Sequence, residues 1–567
     1  MKYPCHVTSL LASAAILVGS FALHPIPAAS AAELGPAGQT LEKPVAAPAS
    51  AEPQQTPQVP GASAVHRPAA VSEAQYAAEK EAAKTGPAPM GAIALPVPAA
   101  GGATNGPSNA ASVTLNFLGL NRQTAANNGF VFIPPDTILG KSPNQVIEAT
   151  NSAIRLFTPS GGVLTTRDLN SFFGASTANG RLFDPKVYFD RNAANRRVYV
   201  AALQVKGDRN ANPADNVSRL WVAVSRSPDP TNLTTNWCRY NIDARGEIGT
   251  ANESWGDFPA IGAGADSFSV ALNNFRFTDD SFRFARIHVF NKNILSNNAL
   301  SCPTVPRFVF QPASTAGDFT FFTLQPAQHY TSPSSGFLTT NPAYYLSTHR
   351  GSFNQYLVHR IRNVASGSPT YTRVTLTNRS YGIPPNGSQQ GSTLVIDSGD
   401  NRVLQVAGQG NTIIGILTTS CNFTSGTPVE SCTLTPRVSV GVSIFGGLTA
   451  SIPENNFVGF GNNVFVHHAG ITTDTALRSA STWEFNSASS FLSSAALSKV
   501  VNGNWGGRQT YASGTCADTL GGAPVRSGDY TGAQLDPSLS GFWLAGEQAV
   551  LINGTCQWQT RIVRVLP

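Results

Sequence analysis

The sequence predicts an all-β protein: a single β-propeller of seven blades, preceded by a disordered linker. Three observations carry this expectation. Charged residues make up only 12% of the 567-residue chain while Gly and Pro number 51 and 39, a composition that supplies tight turns and disfavours long helices. From Val113 onward, short runs of Val, Ile, Phe, Tyr and Leu are separated by Gly, Asn, Asp and Ser, the pattern of many short antiparallel strands. One unit also recurs, in which a short apolar strand, a turn with Asp or Asn and a second strand follow one another.

The recurrence is visible in the residues. Asp184 to Asp190 is followed by Asn195 to Leu203, Leu394 to Asp397 by Gly399 to Val406, and Phe457 to Phe460 by Val464 to His468. Trp255-Gly-Asp257-Phe258 before Asp266 matches Gly528-Asp529-Tyr530 before Asp536. About seven such units of about 65 residues fit between residues 111 and 567, and radial closure lets a chain of this size form one domain. The last unit must close on the first, which points to a closing strand at Trp558, Thr560, Ile562 and Val563. A tandem of β-sandwiches is the alternative architecture.

Residues 1–32 read as a signal peptide, with Lys2, an apolar stretch from Ser9 to Leu23 and small residues from Ala28 to Ala32,. Residues 33–110 are rich in Ala, Pro and Gln and poor in large apolar side chains, which predicts a disordered linker. Within it, Ser72 to Lys84 has the composition of a short helix capped by Ser72,. These features place the protein in the periplasm or outside the cell, with no integral membrane segment after cleavage. A net charge of +6 without Lys/Arg runs excludes a nucleic-acid partner; oligomeric state is left open. Loss of the leader removes Cys5 and leaves six cysteines, consistent with three disulfides in an oxidising compartment. The spacing suggests Cys421 with Cys432 as a hairpin staple, and Cys238 with Cys302 and Cys516 with Cys556 as links between neighbouring segments. No Cys-x-x-Cys spacing points to a thiolate metal centre.

Ile133-Pro-Pro-Asp-Thr137, Ser142-Pro-Asn144, Thr158-Pro-Ser-Gly-Gly162, Asp184 to Asp190, Val224 to Thr231 and Asp257 to Gly262 form a series of turn motifs. It continues with Gly528-Asp-Tyr530, Asp536-Pro537, Phe542-Trp543 and Trp558 to Ile562. This series resembles uncharacterised secreted bacterial β-propeller proteins of the sialidase-like class, over most of the chain after about residue 130. The resemblance implies the propeller fold. It carries over no sialidase chemistry: the Ser-x-Asp-x-Gly-x-Thr-Trp turn survives only as fragments at Ser225 to Asp229 and Ser481-Thr-Trp483, and three equivalent arginines cannot be placed.

Candidate sites follow from residue type. Asp136, Asp184, Asp190, Asp257, Asp529 and Asp536 sit at turns, where Asp accepts backbone amides; the sharper expectation is a structural Ca²⁺ held by Asp257 and Asp529. His349 and Arg350, with His359 and Arg360, lie in one hairpin and could present cations to an anionic ligand. Trp505, in Asn502-Gly-Asn-Trp-Gly-Gly507, is expected as an exposed platform for a sugar ring. His467 and His468, adjacent on a strand, are expected to point to opposite faces. No nucleophile elbow, zinc-protease motif or phosphate loop is present. The reading is a secreted binding or interaction module at the cell envelope with a carbohydrate or protein ligand. The alternatives are a sialidase-like glycoside hydrolase and a structural envelope protein.

Overall fold

The computed structural model describes residues 39–45, 63–64, 71–84, 88–89, 92–95, 111–127 and 131–566, apart from 192–193, 208–212, 314–317, 334–340, 424–428, 444–445 and 462. The signal-peptide reading falls outside these residues. The chain is all-β, and its strands pair as successive antiparallel neighbours. Five sheets of four or five strands stand separately among the described residues, beside a two-stranded pair. Four of them run from Ile138–Lys141 to Val163–Asp168, from Leu182–Asp190 to Trp237–Asp243, from Gln325–Pro326 to Thr370–Thr377, and from Val464–Thr473 to Gln509–Ala512. The fifth combines Gly532–Leu535, Phe542–Ile552 and Thr555–Leu566 with Ser112–Asn121.

Two more antiparallel runs, Ser254–Ala263 to Val305–Phe310 and Val403–Gln409 to Leu448–Gly459, share one eleven-stranded sheet. They are joined because Gln328 pairs in parallel with both Ala263 and Ala407. This is a β-propeller arrangement in which five blades are separate sheets. Inner strands such as Leu182–Asp190 are buried at every position, as expected where both faces of a strand are covered.

Ring closure joins the two ends of the folded domain. The segment expected to close the ring, Thr555–Leu566, pairs with Ser112–Asn121 in the register Ile562 to Phe117 and Val563 to Asn116, so the N-terminal strand supplies the outermost strand of the last sheet. Glu148, from the first sheet, fastens the junction. Its Oε2 accepts the Leu120 amide at 2.7 Å, and its Oε1 accepts the Thr137 hydroxyl at 3.1 Å and the Thr560 hydroxyl. Gly119 is needed there, because a Cβ would fall 2.6 Å from the Glu148 carboxylate.

The helix expected in the linker forms over Glu73–Ala83 with Ser72 as its cap. It is anchored on the propeller by buried polar contacts. Lys80, 3% exposed, donates to the Pro384 carbonyl at 2.9 Å and lies 3.3 Å from Asp397. Tyr76 donates to Asp397 at 3.0 Å, and Glu79 pairs with Arg350 at 2.5 Å. A helix this short is marginal alone in water, so these contacts hold it. Replacing Lys80 with Ala is expected to speed elastase cleavage within residues 71–84 several-fold, read by mass spectrometry of the fragments; an unchanged rate would contradict the docking.

The three disulfides are Cys238–Cys302, Cys421–Cys432 and Cys516–Cys556, the pairing expected from spacing. The second staples a hairpin, since Thr419 pairs with Cys432 and Cys421 with Glu430. Their presence fits an oxidising compartment. Among the described residues no helix is long and apolar enough to cross a membrane.

Candidate active site

Several innermost strands begin with the same local irregularity. The ladders skip between Phe183 and Lys186, between Asp257 and Ala260, and between His467 and Gly470. Asp136, Asp184, Phe258 and His468 adopt left-handed backbone at φ 51°, 50°, 50° and 47°. Pro185 and Pro259 fall inside two of the skips, where a residue without an N–H costs no ladder bond. A bulge of this kind redirects the side chains at the strand mouth.

The mouths converge on four carboxylates: Asp136, Asp184, Asp257 and Asp529, each at most 6% exposed. Asn151 bridges two of them, donating from Nδ2 to Asp136 at 2.6 Å and accepting the Asp184 amide at 2.6 Å. The other oxygen of Asp136 accepts the Asp529 amide at 2.6 Å. Cations are interleaved. Arg526 pairs with Asp529 at 2.8 Å, Arg402 forms a two-point pair with Asp400 while lying 4.4 Å from the centre of the Phe258 ring, and Lys186 lies over the Phe258 and Tyr530 rings. Tyr530 donates to the Pro185 carbonyl at 2.9 Å.

Burial and mutual repulsion set the protonation. Asp257 is pushed up to about 7 by burial and then by Asp529, with Arg402 opposing. Burial raises Asp136 well above the carboxylate range, reinforced by Asp529 and Asp184, and burial raises Asp184 likewise, reinforced by Asp257 and Asp529. Burial lowers Lys186 to about 7 against the pull of Asp184, Asp136 and Asp529. Carboxyls gathered in this way cannot all ionise near neutral pH, so the ring retains protons and exchanges them as a unit.

The mouth of Val464–Thr473 carries two histidines. The expectation that His467 and His468 point to opposite faces is corrected: their Nδ1 atoms lie 3.0 Å apart, because the left-handed His468 breaks the pleat. Glu484 Oε2 lies 3.0 Å from His468 Nδ1 and 3.5 Å from His467 Nδ1. Burial raises the Glu484 carboxyl, but the two imidazoles outweigh it and hold the group below its ordinary value.

The residues expected from sequence fall in different places. Asp257 and Asp529, the expected calcium pair, are brought together in the ring, where Arg526 and Arg402 supply counter-charge. Asp536 keeps its turn role, accepting the Ser538 amide at 2.8 Å and the Trp543 indole at 2.7 Å, whereas Asp190 pairs with Lys292 at 2.8 Å. Trp505 is 3% exposed and lies edge-on to Trp483 at 6.0 Å between ring centres, which corrects the expectation of an exposed platform: the edge of one ring packs on the other and the Trp505 ring is buried in the core,. The cationic hairpin is not assembled either. His359 is buried between Ser347 and Tyr371 and lowered to about 3 by burial, Arg360 bonds Thr372, and Arg350 is paired with Glu79. His349 stays at the turn, donating nothing toward the other three and instead accepting the Gly351 amide. Sequence reasoning assigned only turn roles to Asp136 and Asp184 and passed over Lys186, Arg402 and Arg526. The repeated Asp-Pro, Asp-Phe-Pro and Gly-Asp-Tyr turns at strand mouths were the signal that could have found the ring.

No protein-family model matches the sequence, and no curated protein matches it. Solved structures with a similar arrangement include the α-L-arabinofuranosidase of Fusarium graminearum, at 8% identity over 76% of this chain and 94% of that one, TM-score 0.30. They also include the α-L-arabinanase of Penicillium chrysogenum, at 11% identity over 77% and 94%, TM-score 0.28. A Trypanosoma rangeli sialidase mutant is similar at 10% identity over 73% and 57%, TM-score 0.31. At these values no residue role is carried across. The reading of a binding or interaction module is corrected on the site itself: the strand mouths converge on four buried carboxylates with interleaved cations, a group fitted to acid–base chemistry.

Proposed function

We propose that the protein is a secreted glycoside hydrolase on a seven-bladed propeller. The count of seven takes the two antiparallel runs of the joined sheet as separate blades beside the five distinct ones, and the leader and disulfides support secretion,. One observation carries the reading: four buried carboxylates share one site, with Asp257 titrating near 7 beside an Asp529 that is paired with Arg526. Glycoside hydrolysis requires such a division, with one carboxyl protonated and one ionised. Asp257 protonates the glycosidic oxygen as the bond to the anomeric carbon breaks. Asp529 then either attacks that carbon or takes a proton from the attacking water. Since the carboxyls are buried, neighbouring side chains must give way when the sugar binds.

The test is hydrolysis of a panel of aryl furanosides, pyranosides and sialosides by the purified protein, alongside Asp529→Asn. Turnover of one class, lost in the variant, is the expected result. No turnover of any member, or equal turnover by Asp529→Asn, would overturn the proposal.

A further inference from the structure

His467, His468 and Glu484 are buried, lie beside the carboxylate ring and have no part in the reaction proposed for it. Their hydrogen bonding leaves one surplus lone pair. Asn486 donates from Nδ2 to the Ser388 carbonyl at 2.6 Å, which fixes its amide so that Oδ1 faces His467 Nε2 at 2.7 Å. Nε2 of His467 therefore carries the proton, and in the neutral ring Nδ1 carries a lone pair. That lone pair faces His468 Nδ1 at 3.0 Å, while His468 Nδ1 also faces Glu484 Oε2 at 3.0 Å. A single proton on His468 Nδ1 has to serve both acceptors. The second carboxylate oxygen, Glu484 Oε1, is buried without a hydrogen-bond partner.

We infer that these three side chains form a binding site for a divalent transition metal of the zinc type, with His467 Nδ1, His468 Nδ1 and Glu484 Oε2 as ligands. The geometry suits a tetrahedral ion. The three atoms form a triangle with sides of 3.0, 3.0 and 3.5 Å, whose centre is about 1.85 Å from each corner. An ion with bonds of about 2.05 Å thus sits about 0.9 Å out of their plane, against about 0.7 Å for a regular tetrahedron. Two imidazoles and a carboxylate are the donors that Zn²⁺ takes where a fourth position stays open. The His467 to Asn486 bond is the outer support that orients a metal-bound imidazole. Space remains on the side of Gly528, where a Cβ would lie 3.2 Å from His468 Nδ1 and 3.6 Å from Glu484 Oε2.

The site is independent of the hydrolase reading, so its test does not use activity. The full chain is stripped with chelator, reconstituted with Zn²⁺ or Co²⁺, desalted and measured by elemental analysis and absorption, beside Glu484→Gln, His468→Gln and Gly528→Ala. Expected are about one ion per chain, the strong visible bands of tetrahedral Co²⁺, and at least a tenfold loss of affinity in the two ligand variants. Gly528→Ala keeps all three ligands and should alter the Co²⁺ spectrum while the fold, followed by circular dichroism, is intact; this arm remains informative should a ligand variant misfold. Less than about 0.2 ion per chain after reconstitution, or unchanged affinity in folded Glu484→Gln, would overturn the site.

Discussion

Asp257→Asn is expected to lower kcat/KM by about 10²–10⁴-fold on substrates with poor leaving groups, the usual contribution of a positioned general acid. The loss should be much smaller for a dinitrophenyl glycoside, whose leaving group needs no proton. The same variant is expected to be more stable than the wild type at pH 8. Folded Asp257 holds its proton up to about pH 7, whereas an unfolded Asp releases it near 3.9. The folded state thus binds more protons between these values, and wild-type stability falls as pH rises through that window. Above pH 7 the full cost of the buried charge is present, on the order of 2–4 kcal/mol. Asn keeps the shape and removes the charge. Urea unfolding at pH 5 and pH 8 checks this: the gap between the variant and wild type should widen with pH, and a variant less stable at both would contradict the protonation assigned to the ring.

The second large effect concerns closure. Glu148→Ala is expected to destabilise the protein by about 3 kcal/mol, because it strips an acceptor from the buried Leu120 amide and from the Thr137 hydroxyl at once,. Glu148 also accepts the hydroxyl of Thr560 on the closing strand, so it ties Leu120 near one end of the domain to Thr560 near the other, and the loss should appear as a lower urea midpoint for the whole domain. Glu148→Gln retains an acceptor and should recover about half of the loss. A midpoint within error of wild type for Glu148→Ala would show that the strand pairing of Ser112–Asn121 closes the ring without this clasp.

The fold was legible because turn chemistry and apolar strands are local properties. Asp184-Pro185 and Gly528-Asp529-Tyr530 announce strand mouths in the sequence itself, and the cysteine spacing identifies neighbouring segments. Which strand completes the last sheet was half legible: Thr555–Leu566 was placed at the closure, but its partner lies more than four hundred residues away, where no local signal reaches. The site was less legible for the same reason. Asp136 and Asp529 are bonded across 393 residues, and each alone looks like an ordinary turn Asp. His467 and His468 misled through a general rule, since alternation holds only while the pleat is regular and the left-handed His468 interrupts it. Trp505 misled through composition: its Gly/Asn neighbours are turn residues, yet Trp483 buries its ring.

The pH dependence of kcat/KM for the best glycoside in the panel, measured from pH 4 to 9 in wild type and Asp257→Asn, tests the proposed division of roles most directly. A wild-type profile that falls on the alkaline side with an apparent pKa near 7, and that loses this limb in the variant, is the predicted result. A wild-type rate that stays level to pH 9, or an alkaline limb retained in Asp257→Asn, would show that Asp257 does not deliver the proton.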